Sequence, residues 1–194
     1  MKKLLICALL GSALALPAYA AKKPGDSATD FKLRASLAGK EFDFSLADAL
    51  KKGPVVVYFY PAAYTRGCNL QAHAFAENKD KFDAAGATII GVSRDTIAKL
   101  NEFSADPEYC AGKFPVASDA DGKVSGAYDL QTGGPREGAK DSKGRDITTG
   151  FTERTTFVIT PDKKIVATFS SNDDKISPTE HVDKSLALVQ GMKK

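Results

Sequence analysis

The sequence has little excess charge of either sign, and this limits the partners that it can bind. It contains 27 Lys and Arg against 24 Asp and Glu, which gives a formal net charge of +3. Loss of an N-terminal leader carrying Lys2 and Lys3 takes that charge from +3 to +1. Proteins that bind nucleic acid or anionic membranes electrostatically carry a clear basic excess. The composition therefore predicts no nucleic-acid partner, and 43% hydrophobic with 26% charged residues is typical of a folded domain.

The chain also lacks a hydrophobic run long enough to span a membrane. The apolar run at residues 4–16 falls short of the roughly 20 residues that a bilayer requires. It follows Lys2 and Lys3 and precedes small residues at Ala18 and Ala20, an order typical of a secretory signal peptide cut after Ala20. An uncleaved N-terminal membrane anchor is the alternative. We expect residues 1–20 to be removed and residues 21–194 to form one periplasmic or secreted domain without a membrane partner.

Cysteine is scarce, since there are three residues and Cys7 leaves with the predicted leader. The remaining two, Cys68 and Cys110, form neither a C-x-x-C pair nor a C-x-x-x-C site, which disfavours a disulfide isomerase or a copper chaperone. An exported protein meets an oxidising compartment, where two cysteines commonly form a structural disulfide. The compartment alone therefore favours a structural disulfide between Cys68 and Cys110, unless the residues around Cys68 indicate a reactive thiol.

Strand and helix patterns alternate along residues 21–194, which predicts an α/β fold with a central mixed sheet flanked by helices. Residues 29–34 and 41–44 alternate apolar and polar side chains and would pair as an N-terminal β-hairpin extension. Residues 55–60 are apolar on both faces, as in a central buried strand. Further strands are predicted at residues 87–92, 114–117, 155–160 and 164–169. Helices are predicted from Ser45 to about Gly53, over residues 68–82, from a cap near Asp95, and from Ser177 to about Gln190.

Cys68 lies shortly after the carboxyl end of the predicted central strand and at the start of a helix. Active sites of open α/β sheets gather at this edge, and the free N–H groups at a helix N-terminus stabilise a thiolate. Arg66 adds a cation nearby, Pro61 would shield the sulfur, and Thr65 offers a hydroxyl that can hold a substrate or donate to the thiolate. These features indicate a reactive cysteine, while a buried or disulfide-bound cysteine remains the alternative at this point.

The segment that ends at Cys68 resembles the peroxiredoxin signature P-x-x-x-T-x-x-C, with Pro61 and Thr65 in the matching positions. Four other segments, one before this signature and three after it, resemble the peroxiredoxin Q subgroup, also called bacterioferritin comigratory proteins: residues 23–26, 91–95, 114–119 and 154–159. The resemblance covers nearly all of residues 21–194. It implies a thioredoxin-like fold and a thiol-dependent hydroperoxide reductase that acts on hydrogen peroxide and organic hydroperoxides.

The resemblance also implies roles for individual residues. Pro61, Thr65 and Cys68 would be catalytic, with Cys68 as the peroxidatic cysteine. Arg154 matches the family's second-site arginine, which would hold Cys68 as a thiolate and, with Thr65, bind the peroxide. Each hydrogen bond from its guanidinium to a charged partner contributes roughly 1.5–3 kcal/mol. A surface ion pair with Glu153 is the alternative for Arg154.

The sequence departs from the subgroup at several positions. Arg66 stands where many members have proline, and His73 stands where many have the resolving cysteine. A lone helical histidine is more often a packing or surface residue than a base or ligand. Gln71 would help to bind the substrate through the second-site arginine, or else be an exposed helix residue. Residues 131–151, rich in Gly, Lys, Asp and Thr, are long for the subgroup, and we expect them to form a mobile loop insertion.

Cys110 is the candidate resolving cysteine, because some members of the subgroup place theirs in this part of the chain. The Cys68 thiolate would attack a hydroperoxide, Cys110 would condense with the sulfenic acid, and an external dithiol, a thioredoxin-like protein or a small thiol, would reduce the disulfide. No metal or organic cofactor is expected. The alternatives are a one-cysteine peroxidase and a non-enzymatic thioredoxin-fold module with a structural disulfide. The sequence is compatible with a monomer or a homodimer.

Overall fold

The structure is a computed structural model that describes residues 21–192, so the predicted signal peptide lies outside the described residues. Its strands are β1 (Lys32–Leu37), β2 (Lys40–Ser45), β3 (Val55–Phe59), β4 (Thr88–Ser93), β5 (Val116–Ser118), β6 (Thr132–Gly133), β7 (Phe151–Thr152), β8 (Thr155–Ile159) and β9 (Ile165–Ser170). Seven of them form one sheet in the order β2-β1-β5-β4-β3-β8-β9, and β6 pairs with β7. The buried strand expected from the apolar run at residues 55–60 therefore lies inside the sheet.

The main sheet is mixed, as the sequence predicts. β4 pairs in parallel with both β3 and β5, whereas β8 pairs antiparallel with both β3 and β9. β1 pairs antiparallel with β2 and with β5, so these two strands continue the main sheet. The carboxyl ends of β3 and β4 consequently meet at one edge, where open α/β sheets place their sites.

The helices are α1 (Leu46–Leu50), α2 (Arg66–Glu77), α3 (Lys79–Ala84), α4 (Ile97–Ala105), α5 (Lys123–Ala127) and α6 (Pro178–Met192). The single helix expected over residues 68–82 is wrong, because Asn78 caps the end of α2 with φ −95° and ψ 5° and α3 begins after it. The cap near Asp95 is Thr96, whose hydroxyl accepts a hydrogen bond from the Lys99 N–H.

The alternating side chains of β3 separate two hydrophobic cores. Val56 and Tyr58 belong to a core covered by α2, α4 and α6, whereas Val57 and Phe59 belong to a second core that includes α1. Burial on both faces explains why β3 is apolar throughout. The first core contains both Cys68 and Cys110, so the two thiols lie on the same side of the sheet. No helix within residues 21–192 is long and apolar enough to cross a membrane.

Candidate active site

The loop between β3 and α2 is held by a buried carboxylate. Asp95, which follows the carboxyl end of β4, accepts a hydrogen bond of 2.7 Å from the Ala63 N–H and one of 2.9 Å from the Ser93 hydroxyl. Lys99 lies 3.0 Å from the same carboxylate and balances its charge. The sequence analysis used Asp95 only to mark the approximate position of a helix cap, although its place at the end of the strand beside β3 was the signal for a role at the site.

The predicted signature residues line this loop. Pro61 is half-buried, and Tyr64 adopts a positive φ of 64°, which turns the chain into α2. Thr65 precedes the helix, and its hydroxyl donates a 2.8 Å hydrogen bond to the Ala62 carbonyl oxygen. Because a hydroxyl has one proton and two lone pairs, the half-buried Thr65 oxygen keeps its capacity to accept a hydrogen bond from a ligand.

Cys68 lies in the first turn of α2 and is only 1% exposed. The first N–H groups of a helix lack intrahelical partners and carry the positive end of the helix dipole, so this position favours a thiolate. The Arg154 guanidinium donates a hydrogen bond from Nη2 to the Cys68 Sγ over 3.2 Å. A cation and a helix N-terminus thus act on the same sulfur atom.

The orientation of Arg154 is fixed by a neighbour on α2. Its Nη1 donates a hydrogen bond to the Oε1 of Gln71, which is fully buried. Gly67 allows this approach, because a Cβ there would lie 3.1 Å from Arg154 Nη2. The expected alternative, an ion pair with Glu153, does not form. Gln71 is likewise buried rather than an exposed helix residue, so the second-site arginine and the helix glutamine lie together beside Cys68.

A buried histidine lies behind Arg154. His181 is within hydrogen-bonding distance of two hydroxyls, 3.0 Å from Thr156 Oγ1 and 2.9 Å from Ser171 Oγ. Burial, together with the positive charge of Arg154, lowers the pKa of His181 to about 4. The imidazole is therefore neutral at neutral pH and adds no second positive charge next to the guanidinium. This supports the packing role that a lone histidine suggested, although the effect of Arg154 on its pKa could not be read from the sequence.

Cys110 lies in a run of turns between α4 and β5 and is fully buried. Burial first, and then the Asp106 carboxylate, raise the pKa of the Cys110 thiol well above its usual range. Both cysteines are free thiols. The fully buried Tyr58 belongs to the same hydrophobic core as Cys68 and Cys110.

The turns around Cys110 rest on α2. His73 Nδ1 lies 2.9 Å from the Glu108 carbonyl oxygen, and its Nε2 lies 3.3 Å from Glu77. The Tyr109 ring packs edge-on against Tyr64, with 5.6 Å between centroids. His73 is therefore a surface residue that joins the helix of one cysteine to the segment of the other.

The loop at residues 131–151 packs onto the same region. The Ser142 N–H donates a 2.7 Å hydrogen bond to the Tyr64 carbonyl oxygen. Lys143 lies 4.0 Å above the Tyr64 ring and 3.2 Å from the Asp106 carboxylate. This loop insertion thus contacts both the loop before Cys68 and the segment before Cys110.

These contacts define what the site is able to do. A buried sulfur with a guanidinium and free backbone N–H groups is poised as a nucleophile, and the nearby hydroxyl of Thr65 is suited to hold a small polar substrate. Within residues 21–192, no group of three or more His, Cys, Asp or Glu side chains is placed to hold a metal ion.

Comparison with known proteins identifies a matching family and similar relatives. The AhpC/TSA family matches residues 24–168. Peroxiredoxin Q of the chloroplast of Oryza sativa subsp. japonica is 32% identical over 168 residues, 87% of this chain and 67% of that protein. Peroxiredoxin Bcp of Xanthomonas campestris is 32% identical over 136 residues, 70% of this chain and 76% of that protein.

Solved structures agree in fold. The crystal structure of the peroxidoxin BcpB of Mycobacterium tuberculosis has a TM-score of 0.73 at 31% identity, and the match covers 89% of this chain and 99% of that chain. A structure of Xanthomonas campestris peroxiredoxin Q has a TM-score of 0.64 at 30% identity, with 84% and 92% covered. The thioredoxin-like architecture implied by the sequence resemblance is therefore confirmed.

Proposed function

Because the chain belongs to the AhpC/TSA family and is a thiol-dependent peroxidase of the peroxiredoxin Q type, we propose that Cys68 attacks the peroxide and that Arg154 holds its thiolate. The observation that carries this proposal is the 3.2 Å contact between Arg154 Nη2 and Cys68 Sγ at the start of α2. A guanidinium is always protonated, so it stabilises the negative sulfur across the physiological pH range. Cys110, in contrast, accepts no hydrogen bond from an arginine or lysine of residues 21–192, and the Asp106 carboxylate acts on its thiol instead.

The reaction breaks the O–O bond of a hydroperoxide. The Cys68 thiolate forms an S–O bond with the terminal oxygen, and the second oxygen leaves as an alcohol or water after taking up a proton. Sulfur is thereby oxidised to a sulfenic acid, and the peroxide is reduced. Negative charge moves from sulfur to the leaving oxygen during this step, and Arg154 is placed to stabilise it at both positions.

Three neighbours support this step. Gln71 holds Arg154 in the orientation that reaches sulfur and helps to bind the peroxide through it. The Thr65 oxygen, fixed by its bond to the Ala62 carbonyl, accepts a hydrogen bond from the peroxide. Pro61 fixes the loop and limits the access of water to the sulfur. Together these residues align the peroxide with a sulfur atom that is itself buried.

Cys110 is the proposed resolving cysteine. Its thiol attacks the sulfenic sulfur of Cys68, an S–S bond forms, and the sulfenic oxygen leaves as water. The shared hydrophobic core, which holds Cys68, Cys110 and Tyr58, supports this pairing. Both cysteines are buried free thiols, so their sulfur atoms must move together to form an S–S bond of about 2 Å. The contacts that join Cys110's turns to α2, such as His73 with Glu108, would break in this step.

An external dithiol then reduces the disulfide by exchange. A thioredoxin-like protein or a small thiol has the chemistry for this step. One observation favours a second candidate, a one-cysteine cycle in which an outside thiol reduces the sulfenic acid directly. Burial raises the pKa of the Cys110 thiol, so few molecules hold it as the nucleophilic thiolate while the fold is closed.

We also propose that the enzyme works in the periplasm or outside the cell, on the evidence of the leader pattern in residues 1–20. All residues assigned to the reaction lie within residues 21–192, so cleavage after Ala20 leaves them in place. N-terminal sequencing of the protein recovered from the periplasm or medium should begin at Ala21. Soluble cytoplasmic protein that retains Met1 would contradict this assignment.

Peptide mapping of the oxidised protein tests the two-cysteine cycle. Reduced protein is treated with one equivalent of hydrogen peroxide, and its thiols are then blocked and digested. The two-cysteine cycle predicts loss of both thiols and one cross-linked peptide that contains Cys68 and Cys110. The one-cysteine cycle predicts a sulfenic acid on Cys68 and a free thiol on Cys110.

Two variants complete this test. Cys110→Ser should still be oxidised at Cys68, but its sulfenic acid should persist and overoxidise at high peroxide. Cys68→Ser should leave Cys110 reduced after the same treatment. A non-enzymatic module with a structural disulfide predicts no peroxide-dependent oxidation in any of these proteins, because no sulfur would react faster than an ordinary thiol.

A further inference from the structure

One side chain joins the helix of Cys68 to the turns at residues 107–112, here called the Cys110 turns. His73 lies on α2, and its Nδ1 is 2.9 Å from the carbonyl oxygen of Glu108. Its Nε2 is 3.3 Å from the carboxylate of Glu77, one turn further along the same helix. The imidazole therefore lies between acceptors on the two segments that have to rearrange during the resolving step.

Both contacts of His73 are favourable only when its ring is protonated. A carbonyl oxygen and an ionised carboxylate have no proton to donate, so each contact needs an N–H on the ring nitrogen that faces it. A neutral imidazole has a single N–H and turns a lone pair towards either Glu108 or Glu77. An imidazolium has both N–H groups and pairs its charge with Glu77 at i,i+4. Protonation thus strengthens the connection between α2 and the Cys110 turns.

The groove that contains His73 carries charges of both signs. It has a volume of about 400 Å³, and its other charged or titratable lining residues are Arg66 on α2 and Glu108 and Tyr109 on the Cys110 turns. The loop insertion contributes only an uncharged serine to this groove. Arg66 and Glu108 are of opposite sign, and Glu77 is the carboxylate in contact with the ring. A positive charge on His73 is therefore paired locally, and this pairing is lost when the proton leaves.

Three other contacts hold the Cys110 turns and the residues beside them, and none of the three contains a histidine. They are the ion pair of Lys143 with Asp106, the 3.1 Å hydrogen bond from Lys113 Nζ to the Ala76 carbonyl oxygen, and the edge-on packing of Tyr109 against Tyr64. Lysine, aspartate and tyrosine side chains ordinarily keep one protonation state between pH 5 and 8, whereas histidine gains or loses its proton there. Among these contacts, those of His73 are the ones that change in strength over this range.

From these contacts we infer that His73 is a positioning residue for the resolving step, holding the Cys110 turns against α2 when it is protonated and releasing them when it is neutral. The inference rests on the proposed two-cysteine cycle. The chemistry of the step is the one already described, in which an S–S bond forms and the sulfenic oxygen leaves as water. Acid pH therefore prolongs the life of the sulfenic acid and exposes Cys68 to overoxidation by a further peroxide molecule.

The test measures the rate constant of disulfide formation at pH 5.5, 6.5 and 8. Sulfenic acid is formed with one equivalent of hydrogen peroxide, and acid quenching with mass analysis then follows its conversion to the disulfide. The reference is His73→Gln, whose amide can donate to the Glu108 carbonyl oxygen but does not titrate. Division of each rate by that of His73→Gln removes the pH dependence that both proteins share, such as that of the Cys110 thiol.

The ratio of the wild-type rate to the His73→Gln rate should be about two- to fivefold lower at pH 5.5 than at pH 8, the range expected of an exposed charge pair. Glu77→Gln should remove most of this change, because an amide can either accept from Nε2 or donate to it. Asp83→Asn is the matched control, since Asp83 forms the same kind of i,i+4 pair with Lys79 on α3. It should behave as wild type at all three pH values.

A second measurement does not depend on the peroxidase reaction. Hydrogen exchange of the reduced protein reports opening of the Cys110 turns, where the N–H groups of Ala111 and Gly112 donate to the carbonyl oxygens of Asp106 and Ser104. At pH 5.5 these N–H groups should exchange about two- to fivefold more slowly in wild type than in His73→Gln. At pH 8 the two proteins should exchange at the same rate.

Other outcomes overturn the inference. A rate ratio that is the same at all three pH values, or equal exchange in the two proteins at pH 5.5, would exclude this role of His73. If Cys68 is oxidised but no disulfide with Cys110 forms in any of the proteins, the two-cysteine cycle fails and the role of His73 fails with it. Absence of any oxidation of Cys68 by hydrogen peroxide would instead refute the peroxidase function. The oxidation product therefore distinguishes these failures.

Discussion

The two cysteines share one hydrophobic core, but their surroundings differ in charge. Cys68 has the Arg154 guanidinium at 3.2 Å and a helix N-terminus beneath it. Cys110 lies among turns, where burial first and then the Asp106 carboxylate raise the pKa of its thiol well above the usual range. We therefore propose that, of two equally buried thiols, the one beside the positive charge is the nucleophile.

The largest expected effect comes from replacing each cysteine in turn, which distinguishes the roles of the two sulfur atoms. Cys68→Ser should abolish peroxide consumption, because a serine hydroxyl is not a nucleophile for the O–O bond at neutral pH. Cys110→Ser should keep the wild-type rate of the first oxidation, measured by stopped flow with hydrogen peroxide. Circular dichroism checks that both variants fold. Peroxide consumption by Cys68→Ser at the wild-type rate would mean that Cys68 is not the sulfur that attacks the peroxide.

The Cys68 side also contains a buried neutral imidazole, and its titration affects stability. His181 has a folded pKa of about 4, below the roughly 6.5 of an unfolded histidine. Between these values the unfolded chain binds a proton that the folded chain does not, so stability is lost as pH falls from about 6.5 to 4. The full loss is about 3 kcal/mol, and the contribution is constant above that window.

His181→Gln isolates this effect, because glutamine can bond to both Thr156 and Ser171 but does not titrate. Urea unfolding of wild type and variant at pH 7, 5.5 and 4.5 measures the difference. The stability of wild type relative to the variant should fall with pH over this range. A difference that stays constant would mean that His181 has an ordinary pKa in the folded protein.

A third change removes the cation that distinguishes the Cys68 environment. Arg154→Met should slow oxidation of Cys68 by hydrogen peroxide by about 10- to 100-fold, since one hydrogen bond to a charged partner contributes roughly 1.5–3 kcal/mol. The matched control is Glu153→Gln, because Glu153 contacts the Gln131 N–H and Asn172 instead of the site. An unchanged oxidation rate in Arg154→Met would exclude the arginine from the attack.

The smallest expected effect concerns the loop at residues 131–151, which contacts both the segment before Cys68 and the segment before Cys110. Lys143 lies over the Tyr64 ring before Cys68 and beside Asp106 before Cys110, so it stabilises the closed arrangement of both segments. Lys143→Met should speed formation of the Cys68–Cys110 disulfide by about two- to fivefold, the value of one exposed cation contact.

Lys140→Met is the control for this loop, because Lys140 pairs with Asp146 and is not among the cations over Tyr64. Acid quenching followed by mass analysis gives the rate of disulfide formation after the sulfenic acid has formed. Equal rates in wild type and Lys143→Met would mean that the contact with Tyr64 does not restrain the segments.

The sequence was sufficient to predict those parts of the site whose residues lie close together in the chain. Pro61, Thr65 and Cys68 fall within one strand–loop–helix segment, and the apolar run before them predicted the buried strand that positions them. Arg154 and Gln71 could be assigned through the family resemblance, since their contact joins residues 83 positions apart. The helix break at Asn78 was missed because the apolar pattern continues across it.

Contacts between distant segments could not be predicted in the same way. Asp95 lies next to the predicted helix cap, yet its buried carboxylate accepts a hydrogen bond from the Ala63 N–H, 32 residues away in the chain. Nothing near His181 in the sequence indicates that Arg154 lies beside it, and nothing in residues 131–151 indicates that Lys143 would lie over Tyr64. Such pairings depend on how the strands are ordered in the sheet, which local patterns leave open.

Mass analysis of Cys110→Ser after one equivalent of hydrogen peroxide tests the central claim most directly. This variant cannot close the disulfide, so the first product of the attack remains on the protein. The account predicts the addition of one oxygen atom, trapped by a sulfenic-acid reagent and mapped to the peptide that contains Cys68. A Cys68 peptide that is still a free thiol, while the peroxide has been consumed, would contradict it.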